Sequence, residues 1–230
     1  LQREYCRFKS VQRFTETWAC LERAMTAGVF EGVVGGTRRV ASLGGGPGFE
    51  LIAVREFFAV HFSDVTLDLI SLDLEETWRG AAEGLGLRFA QWDLRSGRVA
   101  EACGGEVDFA VASYVFKMYM CDDVVADWLA EELKTINSVL VINRDEYLKQ
   151  GCAMMESRGV DVLKLLKQDG GRDDRQLVFS RDREFKPWSN TSLMTFPNVP
   201  YEEHKKKSDR DGGHGGSRGG GGGGGWRSNT

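Results

Sequence analysis

Apolar residues recur every three or four positions through the start of the chain and in short unbroken runs thereafter. Tyr5, Phe8, Val11, Phe14, Trp18, Leu21 and Met25 are spaced to stripe one face of a helix over residues 4–27. Such a stripe predicts a core-facing surface, with Tyr5 and Phe8 as candidates to close over a bound ligand. Gly28 and the pair Gly35-Gly36 end the pattern.

From residue 38 the runs shorten. Residues 39–43, 66–72, 87–92, 107–112 and 138–142 predict five strands. Between them, residues 49–62 predict an apolar helix carrying Leu51, Ile52, Val54, Phe57, Phe58 and Val60, and residues 75–84 predict another. Asp122 or Asp123 is placed to cap a third, with Val124, Val125, Trp128, Leu129 and Leu133 on one side. Further on, residues 154–167 read as helix, and 176–180 and 192–196 as extended. Strands that alternate with helices predict a parallel sheet covered on both faces and wound in one sense. The last two strands fit an antiparallel pair at one edge. The expected fold class is α/β: a doubly wound, mostly parallel seven-stranded sheet with helices on both faces, an N-terminal helix and a Gly-rich C-terminal tail. The expected boundaries are 1–36 for the N-terminal helical segment, 37–200 for the α/β domain and 201–230 for the tail.

The tail changes the picture of charge. Its eleven glycines between 212 and 225 leave too little apolar area to order it, so disorder is expected. Residues 204–230 carry a net +4 within a total of −4, which leaves −8 on the body. An acidic body does not match a dedicated DNA-binding fold, where the basic footprint lies on the fold itself. Cysteines at 6, 20, 103, 121 and 152 are odd in number and form no Cys-x-x-Cys pair, which argues against a disulfide framework or a metal site. Scattered reduced thiols suit an intracellular protein, cytoplasmic or nuclear. No run approaches a membrane span, so no membrane partner is expected. His61 is the only histidine before the tail, which leaves little material for a histidine-based triad.

The candidate chemistry lies at strand ends. Leu43-Gly44-Gly45-Gly46-Pro47-Gly48 follows the first strand and opens the next helix. Ligands of parallel α/β sheets bind beyond the carboxyl ends of the strands, and glycines there let backbone approach a ligand closely. A dinucleotide loop needs Gly-x-Gly-x-x-Gly, and the third glycine position is Phe49. Instead the spacing Gly44-x-Gly46-x-Gly48 resembles the first motif of class I S-adenosylmethionine-dependent methyltransferases. Asp73 closes the second strand, where one carboxylate can accept two vicinal ribose hydroxyls. Asp93 closes the third.

The resemblance covers residues 40–196. It implies S-adenosylmethionine as cofactor, held by Gly44, Gly45, Gly46 and Gly48 at its aminoacyl part and by Asp73 and Leu74 at the ribose. Asp93 and Leu94 would meet the adenine, and Ser113 and Tyr114 would face the methyl group and acceptor. Each glycine or acid alone is also what a tight turn or an ordinary strand end contains; their succession in one order is what points to a single ligand. The family often has an acid two positions before the first glycine, and Ser42 stands there. Glu50, opening the next helix, is the alternative source of negative charge.

Catalysis by this family depends mainly on orienting a nucleophile, so no catalytic residue is assigned. The segment Ala112-Ser113-Tyr114-Val115-Phe116 is not the tetrapeptide of exocyclic amino-group methyltransferases. Lys117, Tyr119, Asn143, Arg144, Asp145 and Glu146 follow strands on the ligand side and either touch the acceptor or form polar loops. Arg218-Gly219-Gly220 and Gly225-Trp226-Arg227 resemble fragments of RNA-associated RGG segments, or simply a flexible solubilising tail. The expected function is methyl transfer to a macromolecule, RNA ahead of protein. A catalytically silent methyltransferase-like binding or assembly module is the alternative. A nicotinamide-dependent oxidoreductase is a third reading, which Phe49 disfavours.

Overall fold

The computed structural model describes residues 2–115, 122–143, 147–165 and 176–181. All lie in Leu1–Trp188, the first of two units into which the chain divides; the second is Ser189–Thr230. The extended segment expected at 192–196 and the Gly-rich tail fall outside the described residues.

The elements run α1 (Gln2–Thr26), β1 (Gly36–Leu43), α2 (Phe49–His61), β2 (Val65–Asp73), a 3-10 turn (Glu76–Trp78), α3 (Arg79–Gly84), β3 (Arg88–Gln91), α4 (Val99–Cys103), β4 (Val107–Ser113), α5 (Asp123–Glu132), β5 (Ile136–Ile142), α6 (Tyr147–Glu156), β6 (Asp161–Lys164) and β7 (Gln176–Ser180). The sheet has seven strands in the order β3-β2-β1-β4-β5-β7-β6. Strands β1 to β5 pair in parallel. β7 runs antiparallel to both β5 and β6, which makes the sheet mostly parallel with an antiparallel edge, as expected.

Strand residues alternate between the two covered faces. Ala41, Leu43, Ile70, Leu72, Ala110, Ala112, Val139 and Val141 pack with Val99 and Cys103 of α4, Val125 and Leu129 of α5, and Met155 of α6. Their neighbours Val40, Leu69, Phe109, Val111, Leu140 and Ile142 pack on the other face with Cys20 and Leu21 of α1, Leu51 and Phe57 of α2, and Ala82 of α3. The chain steps outward from β1 to β3 and then returns to β4 beside β1. That reversal opens a crevice at the carboxyl ends of β1 and β4.

Two expectations need correction. The helix expected over 154–167 is the end of α6 followed by strand β6. Gly159 adopts φ 72°, its N–H donates to Glu156 O at 3.0 Å, and the Val160 N–H donates to Met155 O at 3.1 Å. This paired closure stops the helix. Beyond it Val162 and Leu163 pack toward opposite faces of the sheet, which is strand periodicity.

The second correction concerns α1. Its apolar stripe is not its buried face: Phe8 is 72% and Val11 71% exposed, while Arg13, Thr17, Cys20, Leu21 and Ala24 are buried. The carboxyl-terminal half of α1 packs on α2 and the core. Its preceding turns lie against the carboxyl ends of the strands, where the surface it meets is polar.

Candidate functional site

The loop after β1 is shaped by its neighbours. Gly44, Gly46 and Gly48 have φ of 65°, 53° and 83°, the left-handed region that side chains rarely adopt. Gly45 is tight for a different reason. A Cβ there would lie 2.4 Å from Ser42 Oγ and 2.8 Å from Ser71 Oγ. Ser42 itself is fully buried and its Oγ has no hydrogen-bond partner. The Gly45 N–H donates to Leu72 O at 3.1 Å, Ser71 Oγ donates to Gly46 O at 2.9 Å, and Gly48 starts α2. The loop is therefore bound to the end of β2, with the Trp78 ring beside Gly46.

The Asp73 carboxylate accepts the Gly46 N–H at 2.8 Å through Oδ2 and the Glu75 N–H at 2.9 Å through Oδ1. Each oxygen keeps a lone pair for a further donor, and the residue is part-exposed. Asp93 accepts the Arg95 N–H at 2.9 Å through Oδ1, and its part-exposed Oδ2 remains open to a ligand amine. Trp92 N–H donates to Asp73 O at 2.9 Å, holding the two strand ends in step. Leu74 is exposed and its carbonyl accepts Gln91 Nε2 at 3.0 Å. Leu94 packs part-buried against the sheet face that carries α4 and α5. These features fit a cofactor with a ribose and an amine-bearing base: a close-approach backbone cradle, then two accepting carboxylates on adjacent strand ends.

Ser113 ends β4, buried, and Tyr114 follows with φ 60°, a strained conformation for an aromatic residue. The Tyr114 N–H donates to Ile142 O at 2.7 Å, which fixes the turn. Its hydroxyl donates to Glu16 Oε2 at 2.7 Å and accepts from Gln12 Nε2 at 3.3 Å. Arg13 lays its guanidinium over the Tyr114 ring, 3.7 Å from the centroid, and Nη1 donates to Ser113 Oγ at 3.4 Å. Arg13 Nε stands 3.9 Å from Glu50 Oε1, and both side chains are buried. Burial pushes the Glu50 carboxyl up to about 7, opposed by its own N–H, the Arg13 charge and the Ser113 hydroxyl.

Sequence reasoning missed Gln12, Arg13, Glu16 and Trp78. Polar residues interrupting a helical stripe carry no signal of which neighbour they meet. Lys117, Tyr119, Arg144, Asp145 and Glu146 fall outside the described residues, while Asn143 is buried at the end of β5. A cavity of about 440 Å³ lies at the amino ends of β2 and β3, away from the glycine loop, between Arg55, Phe58, Leu67 and Arg88. There Asp68 is paired with Arg39 and Arg88. Among the described residues no group of three or more His, Cys, Asp or Glu could hold a metal ion, and no helix is long and apolar enough to cross a membrane.

No family model matches the chain, and no curated protein matches its sequence. Among solved structures, a candidate S-adenosyl-L-methionine-dependent methyltransferase of Methanococcus maripaludis is similar at TM-score 0.53 and 10% identity, over 79% of this chain and 91% of that one. A methyltransferase of Pyrococcus furiosus is similar at TM-score 0.45 and 14% identity, over 70% and 81%. The citrinin polyketide synthase CMeT domain is similar at TM-score 0.46 and 10% identity over 63% of this chain, which spans 46% of that domain. The Methanococcus likeness, together with the strand order, gives this chain the Rossmann-like fold of class I methyltransferases.

Proposed function

We propose that this chain binds S-adenosylmethionine and transfers its methyl group. The supporting observation is one of order: adjacent strands β3, β2, β1 and β4 present Asp93, Asp73, the Gly44–Gly48 loop and Ser113-Tyr114 along one edge. Asp93 Oδ2 would accept the adenine amine, with the Leu94 backbone beside the ring. Asp73 would accept the ribose hydroxyls, next to Leu74. Gly44, Gly45, Gly46 and Gly48 would let the loop backbone lie against the aminoacyl portion. When bound, the cofactor supplies an electrophilic methyl on a sulfonium. The chain's own part is to orient an acceptor at the β4 end and keep water out, for which α1 and Tyr114 are placed.

The acceptor we propose is a macromolecule, RNA ahead of protein. That rests only on the basic, Gly-rich composition of 204–230 and its Arg218-Gly219-Gly220. Removing 204–230 should flatten the salt dependence of RNA affinity; an unchanged slope disposes of RNA.

Calorimetric titration tests the cofactor. Heat is expected with S-adenosylmethionine and S-adenosylhomocysteine and none with NAD; silence with the first two overturns the proposal. A second reading, the same cofactor site in a module that transfers nothing, is favoured by one observation. Tyr114, the residue expected to face the acceptor, is held by Gln12, Arg13 and Glu16 of α1. Labelled methyl transfer to RNA and protein acceptors separates the two.

A further inference from the structure

The first half of α1 buries a face no core requires. Taking a guanidinium and a carboxylate out of water costs several kcal/mol per ion unless their geometry is close and their remaining donors are satisfied. Neither condition holds at the pair formed by Arg13 and Glu50. Their contact is a loose 3.9 Å, Arg13 is only 8% exposed, and its Nε has no hydrogen-bond partner. Meanwhile the Tyr114 ring fixes the guanidinium plane from one side. A buried, oriented cation and anion standing apart are complementary to a ligand that carries both charges.

The position agrees. If adenine lies at β3 and ribose at β2, the far end of the ligand reaches β1 and β4. Ser113 ends β4, and Arg13 Nη1 touches it. Glu50 opens α2 directly behind the glycine loop. Resting on the cofactor site proposed above, we infer that Arg13 and Glu50 clamp the zwitterionic amino-acid end of S-adenosylmethionine, Arg13 taking the carboxylate and Glu50 the ammonium. The planar guanidinium matches a carboxylate through two parallel N–H donors, and the orphaned Nε is one of them. Glu50, half-neutral when alone with Arg13 near pH 7, holds its charge once an ammonium arrives. This also accounts for the serine at position 42: the anion is delivered from the α2 side.

Three ligands test the clamp by calorimetry: S-adenosylhomocysteine, its analogue lacking only the carboxylate (5′-deoxy-5′-(3-aminopropylthio)adenosine), and 5′-methylthioadenosine, which lacks the whole amino-acid end. The intact protein should prefer S-adenosylhomocysteine over the decarboxylated analogue by about tenfold or more. Arg13→Ala should reduce that ratio to near one while 5′-methylthioadenosine binds as before, and Arg13→Lys should restore part of it. Glu50→Gln should weaken the decarboxylated analogue but not 5′-methylthioadenosine. A ratio near one in the intact protein overturns the clamp without any variant, as does a ratio that survives Arg13→Ala. Binding of 5′-methylthioadenosine without preference for the longer ligands sinks the clamp alone. Failure of all three ligands to bind sinks the cofactor site as well.

Discussion

Asp73 and Gly46 are joined across the crevice: the carboxylate Oδ2 accepts the glycine N–H at 2.8 Å. Because Ser71 Oγ donates to the carbonyl of the same glycine, β2 grips the loop from both sides of one residue. An acid expected to bind a ribose is therefore also the acid that sets the shape of the loop beside it.

Asp73→Asn follows from that double duty. An amide must aim its NH2 at one of two backbone N–H donors, those of Gly46 and Glu75, and one of them loses its acceptor. A stability loss of about 1–3 kcal/mol is expected, read from urea unfolding. S-adenosylhomocysteine should bind at least about tenfold more weakly. A variant unchanged in both measurements would remove Asp73 from the site.

Gly48→Ala meets two obstacles. Its φ of 83° costs an L-residue about 1–2 kcal/mol, and the new Cβ would sit 2.4 Å from Leu87 Cδ1, a buried core atom that must move. A total loss of about 2–3 kcal/mol is expected. Gly80→Ala, in α3 with nothing within 4 Å of the added atom, should instead gain about 0.5–1 kcal/mol. Thermal unfolding of the two variants gives shifts of opposite sign if the account is right.

Glu50 makes stability depend on pH. Its folded pKa of about 7 lies above the ordinary 4.5, so between those values the native state holds a proton that the unfolded chain has released. Stability from this group is full below 4.5 and is lost as pH rises through 7. Glu50→Gln removes the effect. The stability of the natural chain relative to the variant should therefore fall between pH 4.5 and 8, by on the order of 3 kcal/mol. Parallel urea titrations at the two pH values check it; a constant difference contradicts it.

Burial pushes the Cys20 thiol up to about 12 and the Cys103 thiol up to about 11. Cys6 is part-exposed. Iodoacetamide at pH 8 should label Cys6 in the native protein and leave Cys20 and Cys103 unmodified, with all three equal in urea. Peptide mapping by mass spectrometry reads the order directly.

The central strands were legible because burial on both faces writes them as apolar runs: residues 107–112 and 138–142 match β4 and β5 almost residue for residue. β6 was not. Its four residues follow a Gly159 turn that only the backbone reveals, and its half-exposed pattern imitates a continuing helix. In the site, the glycine spacing and the two acids could be placed because strand ends fix them. Arg13 could not: helical periodicity identifies a face, but the partner of that face is decided by packing. The left-handed Tyr114 left no mark in the sequence either, since nothing about an aromatic residue announces a positive φ.

The sheet's two outer strands have a consequence for how copies of this protein meet. β3 and β6 are each only four residues long. Arg88 on one and Asp161 and Lys164 on the other stand exposed. A neighbouring chain seeking to extend the ladder would find few free peptide groups and charged side chains beside them. The topology thus protects a strongly β-forming, valine-rich interior from being copied outward, and it keeps crowded molecules from joining edge to edge into fibres.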